Sequence, residues 1–146
     1  MSRGSETNGT SAQFRTTLRC DLTEVRPTVE RIRKFLIKAG CPESQALECE
    51  LALVEACTNA IQHVSPANSG ESTIIEAMAA NGEVELRVTD HTPGFDWPKQ
   101  AALPMASSEK GRGIFLIQSL MTSTAYIRGE HGNGNVLILR KTFRSV

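Results

Sequence analysis

The chain lacks three features that would indicate other classes of protein. It has no excess of basic residues, because 16 lysines and arginines are balanced by 16 aspartates and glutamates. Nucleic acids and anionic membrane surfaces select basic patches, so neither is expected as a partner. No apolar run approaches the roughly 20 residues that span a bilayer, and the N-terminus lacks the hydrophobic core of a signal peptide. These absences predict a cytoplasmic protein.

The cysteines also lack a recognisable pattern. None of the four forms a C-x-x-C pair, and two of them, Cys49 and Cys57, lie in an apolar helical stretch where a small thiol packs well. Cytoplasmic thiols are normally kept reduced. We therefore predict reduced core thiols at Cys20, Cys41, Cys49 and Cys57, with a redox or metal role as the alternative.

Length and composition indicate one domain with a single site. The chain has 146 residues, of which 40% are apolar, and this is enough for one core. Residues 1–12 are small and polar without periodicity, which predicts a disordered tail. Residues 13–146 are predicted to form the domain.

The pattern of apolar residues predicts an alternation of strands and helices. Strands are indicated by the alternation of apolar and polar residues, helices by apolar residues at helical spacing, and turns by Gly40 and by the Asn81-Gly82 pair. The predicted fold is an α+β two-layer sandwich, with helices on one face of a mixed, mostly antiparallel sheet. The predicted elements are strand 14–22, helix 25–39 with Thr23 as a possible cap, helix 42–64, hairpin strands 72–80 and 83–90, helix 111–121, and strands 123–128 and 136–143.

The second helix carries polar residues on one narrow stripe, formed by Glu48, Glu55, Asn59 and Gln62. Its apolar residues cover most of the circumference, which predicts burial nearly all round. Burying a bare carboxylate or amide is costly, so the stripe is expected to face a polar cavity, a ligand or a metal. Exposure of the stripe to solvent is the alternative. The apolar residues are Leu47, Leu51, Leu53, Val54, Ala56, Cys57, Ala60 and Ile61.

Two further features suggest a nucleotide pocket. Asp90 falls on the buried phase of its strand, and a carboxylate there suits the exocyclic amine of adenine. Residues 91–110 read as a long loop, a natural lid, in which Trp97 is either an anchor or a partner contact. The glycines of the segment 111–113 are expected to open a helix whose free N–H groups cradle phosphate.

Asn59 offers an oxygen that suits magnesium, and Glu55 can deprotonate a hydroxyl.

Three segments in order also carry a family resemblance. LVEACTNAIQH (residues 53–63) resembles the N-box of the GHKL (Bergerat-fold) ATPases, VTDHTPGF (88–95) their G1 box, and GRGIFLIQSLM (111–121) their G2 box. In order, spacing and length the chain is similar to the anti-sigma-factor serine kinases of the RsbW type. The similarity covers about residues 14–143.

The resemblance implies an ATP- and Mg²⁺-dependent kinase that phosphorylates a serine on a STAS-domain antagonist and alternatively binds a sigma factor. It implies that Glu55 is the catalytic base, Asn59 the magnesium ligand and Asp90 the adenine contact. A homodimer is also expected from it. The other residues that it places at the nucleotide are His63, Thr92, Gly94, Gly111, Gly113 and Ile114. Lys110 and Arg112 are expected at the terminal phosphate or, alternatively, at the protein partner.

The sequence departs from the family pattern at one position. The G1 box usually reads D-x-G-x-G, and here Thr92 replaces the first glycine. The turn is therefore expected either to avoid a positive φ at Thr92 or to tolerate strain there. Its hydroxyl is expected to bind the nucleotide, or Asp90 through water.

A nucleotide-gated binding protein without kinase activity is the alternative function.

Overall fold

Five strands, three α-helices and one 3-10 turn make up the secondary structure of the residues that a computed structural model of the protein describes. The structure describes residues 11–64, 68, 70–94, 97, 109–130 and 134–143, with no side chains described at 109–112. The sheet order is β1-β2-β3-β5-β4. The bounds are β1 Ala12–Leu18, α1 Val25–Lys38, α2 Glu43–Gln62, β2 Thr73–Ala80, β3 Glu83–Asp90, α3 Glu109–Leu120, β4 Ser123–Ile127 and β5 Asn135–Thr142.

The helices pack on one face of the sheet and form the core there. Residues from all three helices share a buried cluster with Ile75, Leu86 and Leu139 of the strands. Charged side chains occupy the opposite face, where Glu85 accepts from Arg87 Nε at 2.8 Å and from Arg140 Nε at 3.0 Å. The two-layer α+β fold is confirmed. All four pairings between the described strands are antiparallel, so none of them supplies the parallel part of the predicted mixed sheet.

Local sequence explains the β2–β3 hairpin. Asn81 and Gly82 both have positive φ, at 54° and 78°, which matches the twist of a two-residue hairpin turn. The turn fixes the register, and β3 therefore buries alternate residues and ends on Asp90, which is 6% exposed. The prediction that Asp90 faces the buried side is confirmed.

The prediction that α2 is buried nearly all round is wrong. Its inner face packs through small residues such as Ala52, Ala56 and Cys57, which let the helix lie close to the sheet. Leu47 and Leu51, one turn apart, are 49% and 45% exposed. With a single layer of helices over the sheet, the outer side of α2 has no described element to cover it.

Two helix starts differ from the prediction. A 3-10 turn at Leu22–Glu24 precedes α1, and Asp21 caps this turn by accepting from the Thr23 N–H at 3.0 Å, so Thr23 is not the cap. Helix α3 begins at Glu109, so Gly111 and Gly113 lie inside the helix. The predicted tail lies almost entirely outside the described residues, and so does most of the predicted lid. In the described part of the chain, no helix is both long and apolar enough to cross a membrane.

Candidate active site

A small cavity lies between the C-terminal half of α2 and the end of β3. The free volume is about 10 Å³, the space of about one water molecule, so a larger ligand enters only if one wall moves. The cavity brings together Asn59, Asp90 and Thr92, three of the residues that the sequence placed at a nucleotide. Its full lining is Ala56, Asn59, Ala60, Val88, Asp90, Thr92, Trp97, Tyr126 and Leu137.

A larger groove of about 560 Å³ on the outer face of β1, β2 and β3 is a weaker candidate. Its charged groups neutralise one another in pairs, with Arg15 Nε 3.9 Å from Glu76 Oε2 and Arg87 Nε 2.8 Å from Glu85 Oε2. Exposed pairs of this kind are common on an open sheet face. The cavity at Asp90 is smaller but holds buried polar groups, which is typical of a ligand site.

Three donors converge on one oxygen of the Asp90 carboxylate. The Thr92 N–H donates to Oδ1 at 3.0 Å, the Thr92 hydroxyl at 2.9 Å, and Asn135 Nδ2 at 3.0 Å. No described residue hydrogen-bonds to the other oxygen, Oδ2. A buried carboxylate that is satisfied on one side keeps its second oxygen as an acceptor for a ligand.

Thr92 compensates for the glycine that the G1 box usually has at its position. Among the described non-glycine residues only Asn81 has a positive φ, so of the two expected outcomes the turn avoids a positive φ at Thr92 rather than tolerating strain. Its hydroxyl binds Asp90 directly rather than through water, and accepts from the Gly94 N–H at 3.1 Å. Gly94 itself has φ 87°, a conformation that favours glycine.

Asn135 is a site residue that the sequence analysis missed. It lies opposite Asp90 in the β3–β5 register and is 4% exposed. The glycine-asparagine pattern predicted a turn at Asn135 before a strand at 136–143, whereas β5 begins at Asn135 itself. An asparagine at a predicted turn is ordinary, so only the pairing of the two strands reveals its contact with Asp90.

Glu55 and Asn59 lie against the first part of α3. A Cβ atom built on Gly113 would be 3.0 Å from Glu55 Oε1 and 3.6 Å from Asn59 Nδ2. Gly113 therefore provides the space in which the Glu55 carboxylate lies. Gly113 was expected to let the backbone approach a nucleotide. In the structure its lack of a side chain also leaves space for the Glu55 carboxylate.

Of the predicted polar stripe on α2, only Glu55 and Asn59 lie at this site. Glu48 pairs instead with Lys141, with Oε1 2.6 Å from Nζ, and Gln62 is exposed. The stripe runs along α2 for more than three turns, whereas the cavity meets only its C-terminal half.

The other predicted residues are not among those that line the cavity. His63 caps the C-terminus of α2, where its N–H donates to the Asn59 carbonyl at 3.1 Å. Ile114 is buried, 7% exposed. Residues 110–112 lie in the first turn of α3, whose N–H groups have no partner within a helix and suit phosphate. Their side chains are not among those described.

Trp97 forms one wall of the cavity. Its indole Nε1 donates to Thr124 Oγ1 at 3.1 Å, and its ring stacks on Tyr126 with the centroids 5.9 Å apart. Of the two roles predicted for Trp97, lid anchor or partner contact, the structure favours the lid anchor. Both contacts are made to β4 of the same chain.

The cysteines lie away from the cavity, and all four are free. Burial raises the pKa of Cys49 and Cys57 to about 12, and it also raises the pKa of Cys41. Cys20 is only half-buried and lies outside the core, so the prediction of a core thiol is wrong there. Within the described ranges, no group of three or more histidine, cysteine or acidic side chains is arranged to hold a metal.

Comparison with known families places these residues in a wider context. The family model of the histidine kinase-like ATPase domain matches residues 18–141. Serine-protein kinase RsbW of Bacillus thuringiensis (strain Al Hakam) is 29% identical over 103 residues, and RsbW of Bacillus anthracis matches equally. The match covers 64% of this chain and 62% of the length of these relatives.

Two solved structures have a similar fold. The RsbU and RsbW domains of Rv1364c from Mycobacterium tuberculosis match with a TM-score of 0.69 and 18% identity, covering 92% of this chain and 34% of that one. The SiaB-SiaC complex from Pseudomonas aeruginosa matches with a TM-score of 0.59 and 14% identity, covering 89% of each chain. At these identities the likeness concerns the fold.

Proposed function

Because the chain belongs to the histidine kinase-like ATPase domain family, we propose that it binds ATP with Mg²⁺ and transfers the terminal phosphate to a serine of a STAS-domain protein. The membership agrees with the resemblance that the three sequence motifs indicated. Kinases named RsbW among the relatives support the choice of serine as the acceptor. In its other state the protein binds a sigma factor or an equivalent partner, a role that rests on the resemblance to anti-sigma-factor kinases.

The Asp90 carboxylate is the observation that carries the proposal. It is 6% exposed and lines the cavity, and its Oδ1 is satisfied by three donors while Oδ2 has no described partner. The remaining acceptor fits the amino group at C6 of adenine, which can only donate. Guanine presents a carbonyl oxygen at the same position and would meet the carboxylate with repulsion.

The phosphates and magnesium would be held at the other end of the site. The free N–H groups of the first turn of α3 and the positive end of its dipole suit the phosphate chain. Asn59 offers a neutral oxygen, and magnesium bound with ATP usually takes few protein ligands and keeps several waters. The bound ion would neutralise phosphate charge.

Glu55 is proposed as the base for the serine hydroxyl. Its carboxylate lies beside Asn59, at the start of α3, so the proton acceptor and the magnesium ligand are one helical turn apart. A carboxylate placed there removes the proton as the hydroxyl oxygen attacks the terminal phosphorus and the bond to ADP breaks.

Calorimetric titration with ATP and ADP, with and without Mg²⁺, tests the proposed site. We expect binding by the wild type, loss of binding in Asp90→Asn, and loss of the magnesium dependence in Asn59→Ala. Phosphorylation of a purified STAS-domain protein is then expected to disappear in Glu55→Gln with ATP affinity retained. Absence of nucleotide binding by the wild type would overturn the proposal.

The position of Trp97 supports a second candidate function, a nucleotide-gated binding protein without kinase activity. Trp97 leaves only about 10 Å³ in the cavity, so entry of adenine requires a wall to move. Such a movement would couple nucleotide binding to the neighbouring surface. Nucleotide binding without phosphorylation of the partner, together with a change in partner affinity, would favour this function.

A further inference from the structure

The Asn135 side chain is held on both sides at the first residue of β5. Its Nδ2 donates to Asp90 Oδ1 at 3.0 Å and to the Thr92 carbonyl at 2.9 Å, while its Oδ1 accepts from the Gly129 N–H at 3.0 Å. The opposite orientation of the amide would set oxygen against two acceptors and NH₂ against a donor. The network therefore fixes Nδ2 as the group that faces Asp90.

The backbone at Gly134, the residue before Asn135, packs tightly against the end of β3. A Cβ atom on Gly134 would lie 2.7 Å from Thr89 Cγ2 and 2.8 Å from the Asp90 carbonyl oxygen. Both distances are too short for any other residue, so glycine allows β5 to begin directly against Asp90. Asn135 thus reaches the carboxylate from a backbone position with little freedom.

We infer that Asn135 is a positioning residue that gives the site its preference for a 6-aminopurine. The carboxylate of Asp90 can rotate, and both of its oxygens are equivalent until neighbours distinguish them. Asn135 and Thr92 together occupy Oδ1, which leaves Oδ2 as the acceptor for the ligand. Asn135 acts through Asp90 and need not touch the nucleotide. This inference rests on the proposed function, since it assumes that Asp90 binds the purine base.

Comparison of ATP with purine riboside 5′-triphosphate, which lacks only the 6-amino group, tests this role. Calorimetry on the wild type is expected to show about tenfold or greater preference for ATP, the usual effect of a hydrogen bond to a charged group. Two variants remove the donor in different ways. Asn135→Ala deletes the amide, and Asn135→Asp keeps its shape and the acceptor for Gly129 but places a second carboxylate beside Asp90.

Both variants are expected to lower the preference to about threefold or less at pH 8, mainly by weakening ATP binding. Thr28→Val serves as the matched control. Thr28 is a buried polar residue, 5% exposed, on α1, which packs against α2 and β1, so its replacement should leave the preference unchanged. Thermal unfolding of each protein establishes that it is folded before titration.

The outcomes separate this inference from the proposed function. Wild-type protein that binds neither nucleotide, or both equally, overturns the proposed role of Asp90 and this inference with it. A wild-type preference that persists in either folded variant overturns the inference alone. Equal loss of both nucleotides in the variants, including complete loss, also overturns it, because Asn135 would then support the pocket as a whole.

Discussion

Replacing Gly113 with alanine is expected to make the protein more stable and, at the same time, to slow the proposed kinase reaction. Gly113 is the fifth residue of α3, and glycine inside a helix costs about 1 kcal/mol relative to alanine. The new Cβ would lie 3.0 Å from Glu55 Oε1, so the carboxylate must give way by a few tenths of an ångström. Because the end of the Glu55 side chain is flexible, this movement cancels only part of the gain in the free energy of unfolding.

A double-mutant cycle measured by urea unfolding isolates the contact. In the Glu55→Ala background the alanine at 113 should provide the full gain of about 1 kcal/mol, whereas with Glu55 present the gain should be smaller by about 0.5 kcal/mol. Phosphorylation of the proposed STAS-domain substrate should fall about tenfold in Gly113→Ala, because small displacements of a catalytic group, the role proposed for Glu55, are costly. ATP affinity should change little.

Ser119→Ala is the matched control, since Ser119 lies on the exposed side of the same helix. Its small effect on the free energy of unfolding should be the same with and without Glu55, and the kinase rate should not change. An equal gain from Gly113→Ala in both backgrounds would refute the contact. An unchanged kinase rate, in a protein whose activity depends on Glu55, would refute the link between this glycine and catalysis.

Three further predictions concern thiols, fluorescence and the turn after β3. Because burial raises the pKa of Cys49 and Cys57 to about 12, both should resist a thiol reagent at pH 8 until the chain unfolds. Half-buried Cys20 should react in the native protein, and rapid native labelling of the two core thiols would contradict this. Trp97 is the only tryptophan, and ATP should change its emission saturably by displacing it from the cavity. Calorimetric binding of ATP with constant emission would exclude that displacement. Thr92→Val removes the hydroxyl bound to the carboxylate and should weaken ATP binding about fivefold to tenfold, with Thr92→Ser restoring it. Equal affinities of the valine and serine variants would count against a role for the hydroxyl.

Periodicity and turn chemistry predicted the elements well where their causes are local. The alternation in β3 gave both its bounds and the inward direction of Asp90, since the side-chain period of a strand depends on the backbone alone. Asn81 and Gly82 predicted the hairpin because their conformational freedom is a property of the residues themselves. Three motifs in order predicted the family, and two of their polar residues, Asn59 and Asp90, do share a cavity.

Predictions failed where the environment of a residue is set by distant parts of the chain. Leu47 and Leu51 have the spacing of core residues, but whether a helix face is covered depends on how many layers the fold has. Glu48 belongs to the same stripe as Glu55. It nevertheless pairs with Lys141, which is 93 positions away in the sequence. No local pattern contains that information.

The sequence by itself determined the strands, the helices, the family and the residue types available for chemistry, because backbone preferences and motif spacing act over a few residues. Only the tertiary structure decided which oxygen of Asp90 is occupied, that Asn135 occupies it, and that Gly113 makes room for Glu55. Hydrogen bonds and close contacts depend on distances between atoms, and these distances exist only after β5 pairs with β3 and α3 packs on α2.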